Sequence, residues 1–362
     1  GTSNPDGQAN TVQISVNGAR SSQNTFTVDG ADITDRGSNL TIQAYPSVDA
    51  IGEFKVLRSL YPAESGRSGG GQVNVVTRSG TDQFHGSLFE FVRNEKFNAS
   101  SFLNNRTFPL GRDSEGNAIR PPFRYNNYGF TIGGPVIFLR FGNAKPGDSV
   151  FSKIPRTYFF FSEEQRKDRR FPTLSSTVPT AGMKSGVFAY PICLAATISG
   201  STRTCTQILP AGTPFASMAT VNPVSAAYLS SIINSIPSPN NGAYGLLSPA
   251  SGVFDFRQEI IKVDTAFTNN WTAYYRYQRD KIPTIDPNSL FSGGSGIPGV
   301  STSRTDSPGR AHTLSTTWVV NPNFILDARY TYSYGAILSK TIGTLAKENS
   351  PSISIPMPFQ NN

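Results

Sequence analysis

The amino-acid sequence predicts a mainly β protein: a small α/β unit of about 70 residues, then about seven strands of an incomplete antiparallel transmembrane β-barrel. Three observations predict it. The first is a strand pattern, clearest at residues 127–136. Tyr128, Phe130, Ile132 and Val136 fall on one face, and Asn127, Gly129, Thr131 and Gly133 on the other. Side chains alternate across a strand with period two. A face nearly bare of bulk suits a wall with lipid outside and a crowded or wet lumen inside. The second is composition. Hydrophobic residues make up only 37%, yet 25 Phe and 14 Tyr accompany 33 Gly and 26 Pro. Low bulk hydrophobicity with many aromatics and turns fits barrels and extracellular β proteins better than helical enzymes. The third is connection length: long connections fall on one side of the expected strands and short ones on the other, as in outer-membrane barrels.

The elements follow in order. Residues 11–16 alternate and stop at the turn dipeptide Asn17-Gly18, and residues 25–28 stop at Asp29-Gly30. One helical turn is expected over 47–51, after Pro46. Strands are expected over 53–58 and 72–77, separated by a glycine-rich loop at 63–71. Beyond Asp82 the rhythm changes to long strands and long loops. The seven expected strands span 84–93, 127–137, 157–166, 258–267, 271–279, 312–320 and 324–334. On the last, Phe324, Leu326, Ala328, Tyr330, Tyr332 and Tyr334 share one face, and Asp327, Arg329, Thr331 and Ser333 the other. About ninety residues with little strand character, a long extracellular loop over 167–256, separate the third strand from the fourth; a surface helix is expected over 223–236. An odd number of strands leaves an open edge in lipid, where unpaired backbone groups are costly. Further strands are therefore expected downstream, and both chain ends read as cuts through a longer protein.

No stretch approaches the 18 apolar residues of a transmembrane helix. The net charge of +8 is scattered, with its densest run at Arg166-Lys167-Asp168-Arg169-Arg170. Solvated loop charge is the reading, not a nucleic-acid stripe. Cys193 and Cys205 lie in a Ser/Thr/Pro-rich segment and predict a local disulfide in an oxidising compartment, with two unpaired thiols as the alternative. Catalytic motifs are formal only. Gly66-Arg67-Ser68-Gly69-Gly70 fits G-x-S-x-G, but the strand follows it where a nucleophile elbow needs one before. Gly294-Ser295-Gly296-Ile297-Pro298-Gly299 fits G-x-G-x-x-G with no preceding strand. Two His and two Cys give no metal-ligand spacing. No enzyme and no cofactor is expected. Trp271 with Tyr274, Tyr275 and Tyr277 reads as an interfacial aromatic belt rather than a sugar platform.

Certain stretches carry a resemblance. They are Thr27-Val28-Asp29-Gly30, Ile51-Gly52-Glu53-Phe54-Lys55-Val56-Leu57-Arg58, and the run from Ala63 through Gly69-Gly70-Gly71-Gln72 to Thr77. To these add Phe84-His85-Gly86-Ser87, Gly133-Gly134-Pro135-Val136 and Asn222-Pro223-Val224-Ser225-Ala226. In combination they resemble TonB-dependent outer-membrane receptors, most of all the Oar-like, acidobacterial type. One departure is Ser65, where the family pattern has Tyr. The resemblance implies a plug domain over 1–81 and the N-terminal portion of the barrel over 82–362. It implies transport of a bulky solute by TonB-driven plug rearrangement in the bacterial outer membrane. The implied partners are TonB, through a segment upstream of residue 1, an unknown extracellular ligand and outer-membrane lipid, but no nucleic acid. Glu53, Arg58, Arg67 and Arg78 are the expected charged contacts between plug and wall, with Arg58 matching the family's arginine after E-V-L. The alternative is a non-transporting surface barrel or secreted adhesion protein, for which deleting the 167–256 loop, and not removing TonB, abolishes function.

Overall fold

The computed structural model describes residues 14–35, 39–40, 42–59, 66, 68–108, 110–139, 151–171, 173–287, 297, 299–344 and 346. The first unit is a four-stranded sheet of β1 (Thr25–Val28), β2 (Ala31–Asp32), β3 (Ile51–Leu57) and β4 (Gln72–Thr77), ordered β2-β1-β4-β3. Asp29 and Gly30, at φ 48° and 73°, join β1 to β2. Both angles are positive, as a two-residue hairpin with strand-matched twist requires. β1 then runs parallel to β4, and β3 antiparallel to β4. Phe26, Val28, Ile33 and Ile42 form a small core, with Tyr45, Val73 and Val75 packed on it. A 3₁₀ turn at Val48–Ala50 leads into β3, where the sequence reading places a helical turn.

The strand expected over 11–16 is corrected. Its first three residues lie outside the described part, and Ile14 to Val16 pair with no strand. Val16 is held instead by packing: its methyl groups fill the space where Gly71 lacks a side chain. Alternation there reports one buried valine, not a ladder.

The wall strands come next. They are β5 (His85–Asn94), β6 (Phe123–Leu139) and β7 (Phe151–Arg170), with the short helix α1 (Phe102–Thr107) between β5 and β6. An excursion follows, holding β8 (Thr173–Thr177), α2 (Ala181–Lys184), β9 (Ile192–Ser199), β10 (Thr202–Leu209), α3 (Pro223–Ser231) and β11 (Gly245–Pro249). The wall resumes with β12 (Gly252–Ala266), β13 (Trp271–Asp286), β14 (Ser303–Asn321) and β15 (Phe324–Gly335). Short β16 (Leu338–Thr341) pairs with the start of β14. The long strands form one antiparallel sheet in the order β15-β14-β13-β12-β7-β6-β5, and no closed barrel forms among the described residues. All seven long strands are those expected from the alternation.

Most run several residues further than the alternation. β7 and β12, for instance, stay paired from Thr157 with Thr265 out to Arg170 with Gly252. Backbone pairing continues where the apolar pattern has already given way to Arg, Lys and Asp, because the ladder needs no apolar side chain. The excursion therefore narrows to 171–251, and it is not strand-poor. β8 pairs with β11, and β9 with β10. β8 and β11 are only five residues each, and the alternation of Ile192, Leu194, Ala196 and Ile198 on β9 has no apolar counterpart on β10, so the strands are not read from the sequence.

The wall's two faces are chemically distinct. On β13, Arg276, Gln278, Asp280, Ile282 and Thr284 are buried, while Trp271, Tyr275, Arg279 and Lys281 between them are exposed. On β6, Phe130 and Ile132 are exposed, while Gly129, Thr131 and Gly133 are covered. A register shift between Pro135 and Ile137 resets the phase, so Ile137, not Val136, continues the exposed row. The small sheet lies against the covered face.

Candidate functional site

The contact between the small sheet and the wall is built on one turn. The Asp29 side chain is 3% exposed. Within its own unit, one carboxylate oxygen accepts the Thr77 backbone N–H at 2.8 Å and the other the Thr77 hydroxyl at 2.7 Å. From the wall, the fully buried Arg276 donates to the second oxygen at 2.9 Å. Lys262 stands 3.8 Å from the first and donates to the Thr77 carbonyl at 3.3 Å. The Tyr274 hydroxyl donates to the Asp29 carbonyl at 2.7 Å, and Arg329 to the Gly30 carbonyl at 3.3 Å. Arg276 also donates to the Thr313 hydroxyl at 3.0 Å. Buried charge persists only where it is paired and hydrogen-bonded. The turn's two carbonyls and its carboxylate are thus met by four wall side chains, on β12, β13 and β15.

Further contacts run beside this clasp. The Ser47 hydroxyl donates to Glu164 at 2.6 Å. The Tyr45 backbone N–H donates to Asp280 at 3.0 Å. Burial, and secondarily the Asp280 carboxylate, push the Tyr45 phenol well above its ordinary pKa, so it stays neutral. The Gln43 carbonyl lies against Gly309, where a β-carbon has no room. Among the described residues, Ala50, Phe160 and Ile260 form an apolar cluster across the junction.

Of the four residues expected at this junction, Glu53, Arg58 and Arg78 are among the described residues. Glu53 and Arg58 are exposed at the outer strand of the small sheet. The Arg58 carbonyl accepts from the Asn17 side chain at 2.6 Å. Arg78 is exposed and donates to the Ile51 carbonyl at 3.3 Å. Arg67 lies outside the described residues. Cys193 and Cys205 are disulfide-bonded across β9 and β10, which form a sheet of their own, with Cα atoms 5.7 Å apart. Ser68, of the formal G-x-S-x-G, donates to the Gly71 carbonyl at 2.9 Å and tightens a turn. Among the described residues no group of His, Cys, Asp or Glu is arranged to hold a metal ion.

Sequence reasoning missed Asp29, Lys262, Arg276 and Glu164 as contacts. The signal was present. A charge in mid-strand on the face opposite the aromatic row has to meet either water or a counter-charge, and Lys262 and Arg276 occupy such positions.

The model of the outer membrane beta barrel domain family matches residues 76–361. The chain belongs to the outer membrane beta barrel domain family. This places the barrel protein in the bacterial outer membrane. Over 86 residues, 24% of this chain and 8% of the relative, the barrel protein is 37% identical to the TonB-dependent transporter Oar of Myxococcus xanthus. The solved outer membrane transporter YddB from Escherichia coli superposes on 91% of this chain and 33% of its own, with a TM-score of 0.54 at 10% identity. A point variant of the ferric enterobactin receptor PfeA from Pseudomonas aeruginosa matches 92% of this chain and 36% of its own, with a TM-score of 0.46 at 12% identity. The chain thus spans about a third of the length of those structures. The barrel protein shares its fold with YddB.

Proposed function

We propose that this chain is part of a TonB-dependent transporter of the Oar-like type. Residues 1–81 are its plug, and residues 82–362 belong to its barrel. The plug moves under TonB-driven force to pass a bulky extracellular solute. The observation that carries this reading is the polar character of the junction. A plug that must seal a lumen and yet be displaced needs contacts that can be remade. Ionic and hydrogen-bonded contacts are replaced by water at lower cost than a packed apolar core is exposed. The Asp29 clasp with Lys262, Tyr274, Arg276 and Arg329 is such a contact, with Ser47–Glu164 beside it. In the same reading the exposed Glu53, Arg58 and Arg78, together with Arg67, meet barrel wall that β5 to β15 do not supply.

The test is a Ser47→Cys reporter in the full-length protein, expressed in cells and treated with a thiol-reactive maleimide. Ser47 is 3% exposed at rest. The two cysteines of this chain are disulfide-bonded and do not react, and the protein without the Ser47→Cys change sets the background. Labelling is expected to rise in energised cells that have TonB and to fall to background when TonB is deleted. Labelling indifferent to TonB removes the transport reading and leaves a static barrel.

A further inference from the structure

The outward face of the wall is ordered into rows by the strand register. Trp271, Trp318 and Leu326 are consecutive partners across β13, β14 and β15. Above them come Tyr275, Leu314 and Tyr330, then Tyr277, His312 and Tyr332. His312 takes a 2.8 Å hydrogen bond with the Tyr275 hydroxyl and stacks near Tyr277, ring centroids 4.8 Å apart. The next row is Arg279, Arg310 and Tyr334.

This row breaks a rule. Arg279 and Arg310 are exposed and directly opposite each other on neighbouring strands. Like charges so placed destabilise a strand pair unless an anion lies between them. Lys281, two residues on, adds a third positive charge on the same face. On its other side Arg279 faces Glu259 of β12, with Glu163 of β7 beyond it in the same row, but both carboxylates turn to Arg257, at 2.6 and 3.2 Å, which leaves Arg310 without a carboxylate beside it. No carboxylate among the described residues lies within salt-bridge distance of Arg279, Lys281 or Arg310.

The position of the row matters as much as its charge. At about 3.3 Å per residue and a strand tilt of about 40°, Arg279 stands about 20 Å above Trp271 along the membrane normal. That is close to the height of the apolar band of an outer-membrane barrel, about 25 Å. Trp271 and Trp318 flank the short turns at 267–270 and 322–323, the periplasmic side, so the basic row stands at the external headgroup level. Two guanidinium groups present planar donor forks, which suit phosphate oxygens. Directly below them the exposed Tyr332, Leu314 and Tyr330 offer an apolar bed for acyl chains.

We propose that Arg279, Lys281 and Arg310 bind a phosphate group of an outer-leaflet lipid, whose acyl chains lie along the Tyr277–His312–Tyr332 and Leu314–Tyr330 rows. The continuity of the charged row with that apolar bed favours a lipid phosphate over a free one.

The full-length protein, purified in non-ionic detergent, is equilibrated with lipid A or with its dephosphorylated form, and bound lipid is counted by native mass spectrometry. The wild type is expected to retain the phosphorylated lipid about tenfold more tightly, and the Arg279→Gln/Lys281→Gln/Arg310→Gln variant to lose that preference. A triple variant that keeps the wild-type preference for the phosphorylated lipid overturns the site. So does displacement of lipid A by inorganic phosphate alone, which marks a free-anion site. The single variants Arg279→Gln and Arg310→Gln change one exposed side chain each and leave the clasp untouched. Each is expected to weaken retention about threefold, and no loss in either overturns the proposal even if the triple variant fails to fold.

Discussion

Asp29 shows how much one turn residue does when its carboxylate has nowhere else to go. Its two oxygens are shared between Thr77 in its own sheet and Arg276 and Lys262 in the wall. Removing one partner of a buried pair costs about 3–5 kcal/mol, because the other charge is stranded. Arg276→Gln is therefore expected to lower the melting temperature of the folded protein and to speed hydrogen exchange at the Asp29 and Thr77 amides. Asp29→Asn added to Arg276→Gln should restore part of the loss, since it removes the stranded charge. A loss for Arg276→Gln of under about 1 kcal/mol, the range of a surface pair, would mean the clasp is wet and dispensable. Glu95 gives a second prediction at this scale. Its carboxylate accepts the Phe123 backbone N–H at 3.1 Å, and chiefly for that reason its pKa is held below the usual carboxylate value. A lowered folded pKa stabilises above the unfolded value of about 4.3 and loses that contribution as pH falls through the folded one. Exchange at the Phe123 amide should thus quicken between neutral pH and pH about 3 in the wild type, and show little pH-specific change in Glu95→Gln once intrinsic exchange rates are divided out.

At the scale of elements, the β9–β10 hairpin and the wall are separate ladders. The disulfide between Cys193 and Cys205 closes a loop of 12 residues inside that hairpin. Closing a loop of about this length is worth about 3 kcal/mol in the chain-entropy account. Reduction, or Cys193→Ser with Cys205→Ser, is expected to expose the hairpin to limited proteolysis while the wall stays resistant. Joint loss of both would show that the excursion supports the wall. The wall strands were legible in the sequence because lipid outside and small residues inside impose a strict period of two: Phe130 against Gly129 and Thr131, Tyr330 against Arg329 and Thr331. The excursion strands were not. Ile192, Leu194, Ala196 and Ile198 do alternate on β9, but the partner strand β10 (Thr202–Leu209) is mostly polar, and the pairing depends on backbone and a disulfide. The clasp was half legible. Thr27-Val28-Asp29-Gly30 announced a turn, but a single sequence does not say that a turn aspartate will meet an arginine 247 residues away.

At the scale of the whole molecule, a band of exposed apolar side chains runs across one face of an open sheet: Leu88, Phe130 and Ile132 at one end, Leu314, Leu326 and Tyr330 at the other. Water does not support such a face beside two unpaired strand edges. This 362-residue chain is expected to associate in detergent-free buffer and to disperse in detergent, and light scattering under both conditions distinguishes that from a water-soluble monomer. The wall's register also has a meaning in time. Each long strand pairs with the long strand before and after it in the chain, whereas the clasp joins Asp29 to Arg276 across most of the sequence. Closing a long loop costs more entropy than closing a hairpin, and contacts near in sequence form sooner. The wall therefore zips in chain order, while the clasp fastens late. A substitution that breaks only the clasp, such as Arg276→Gln, should leave the refolding rate nearly unchanged and express its whole effect as faster unfolding.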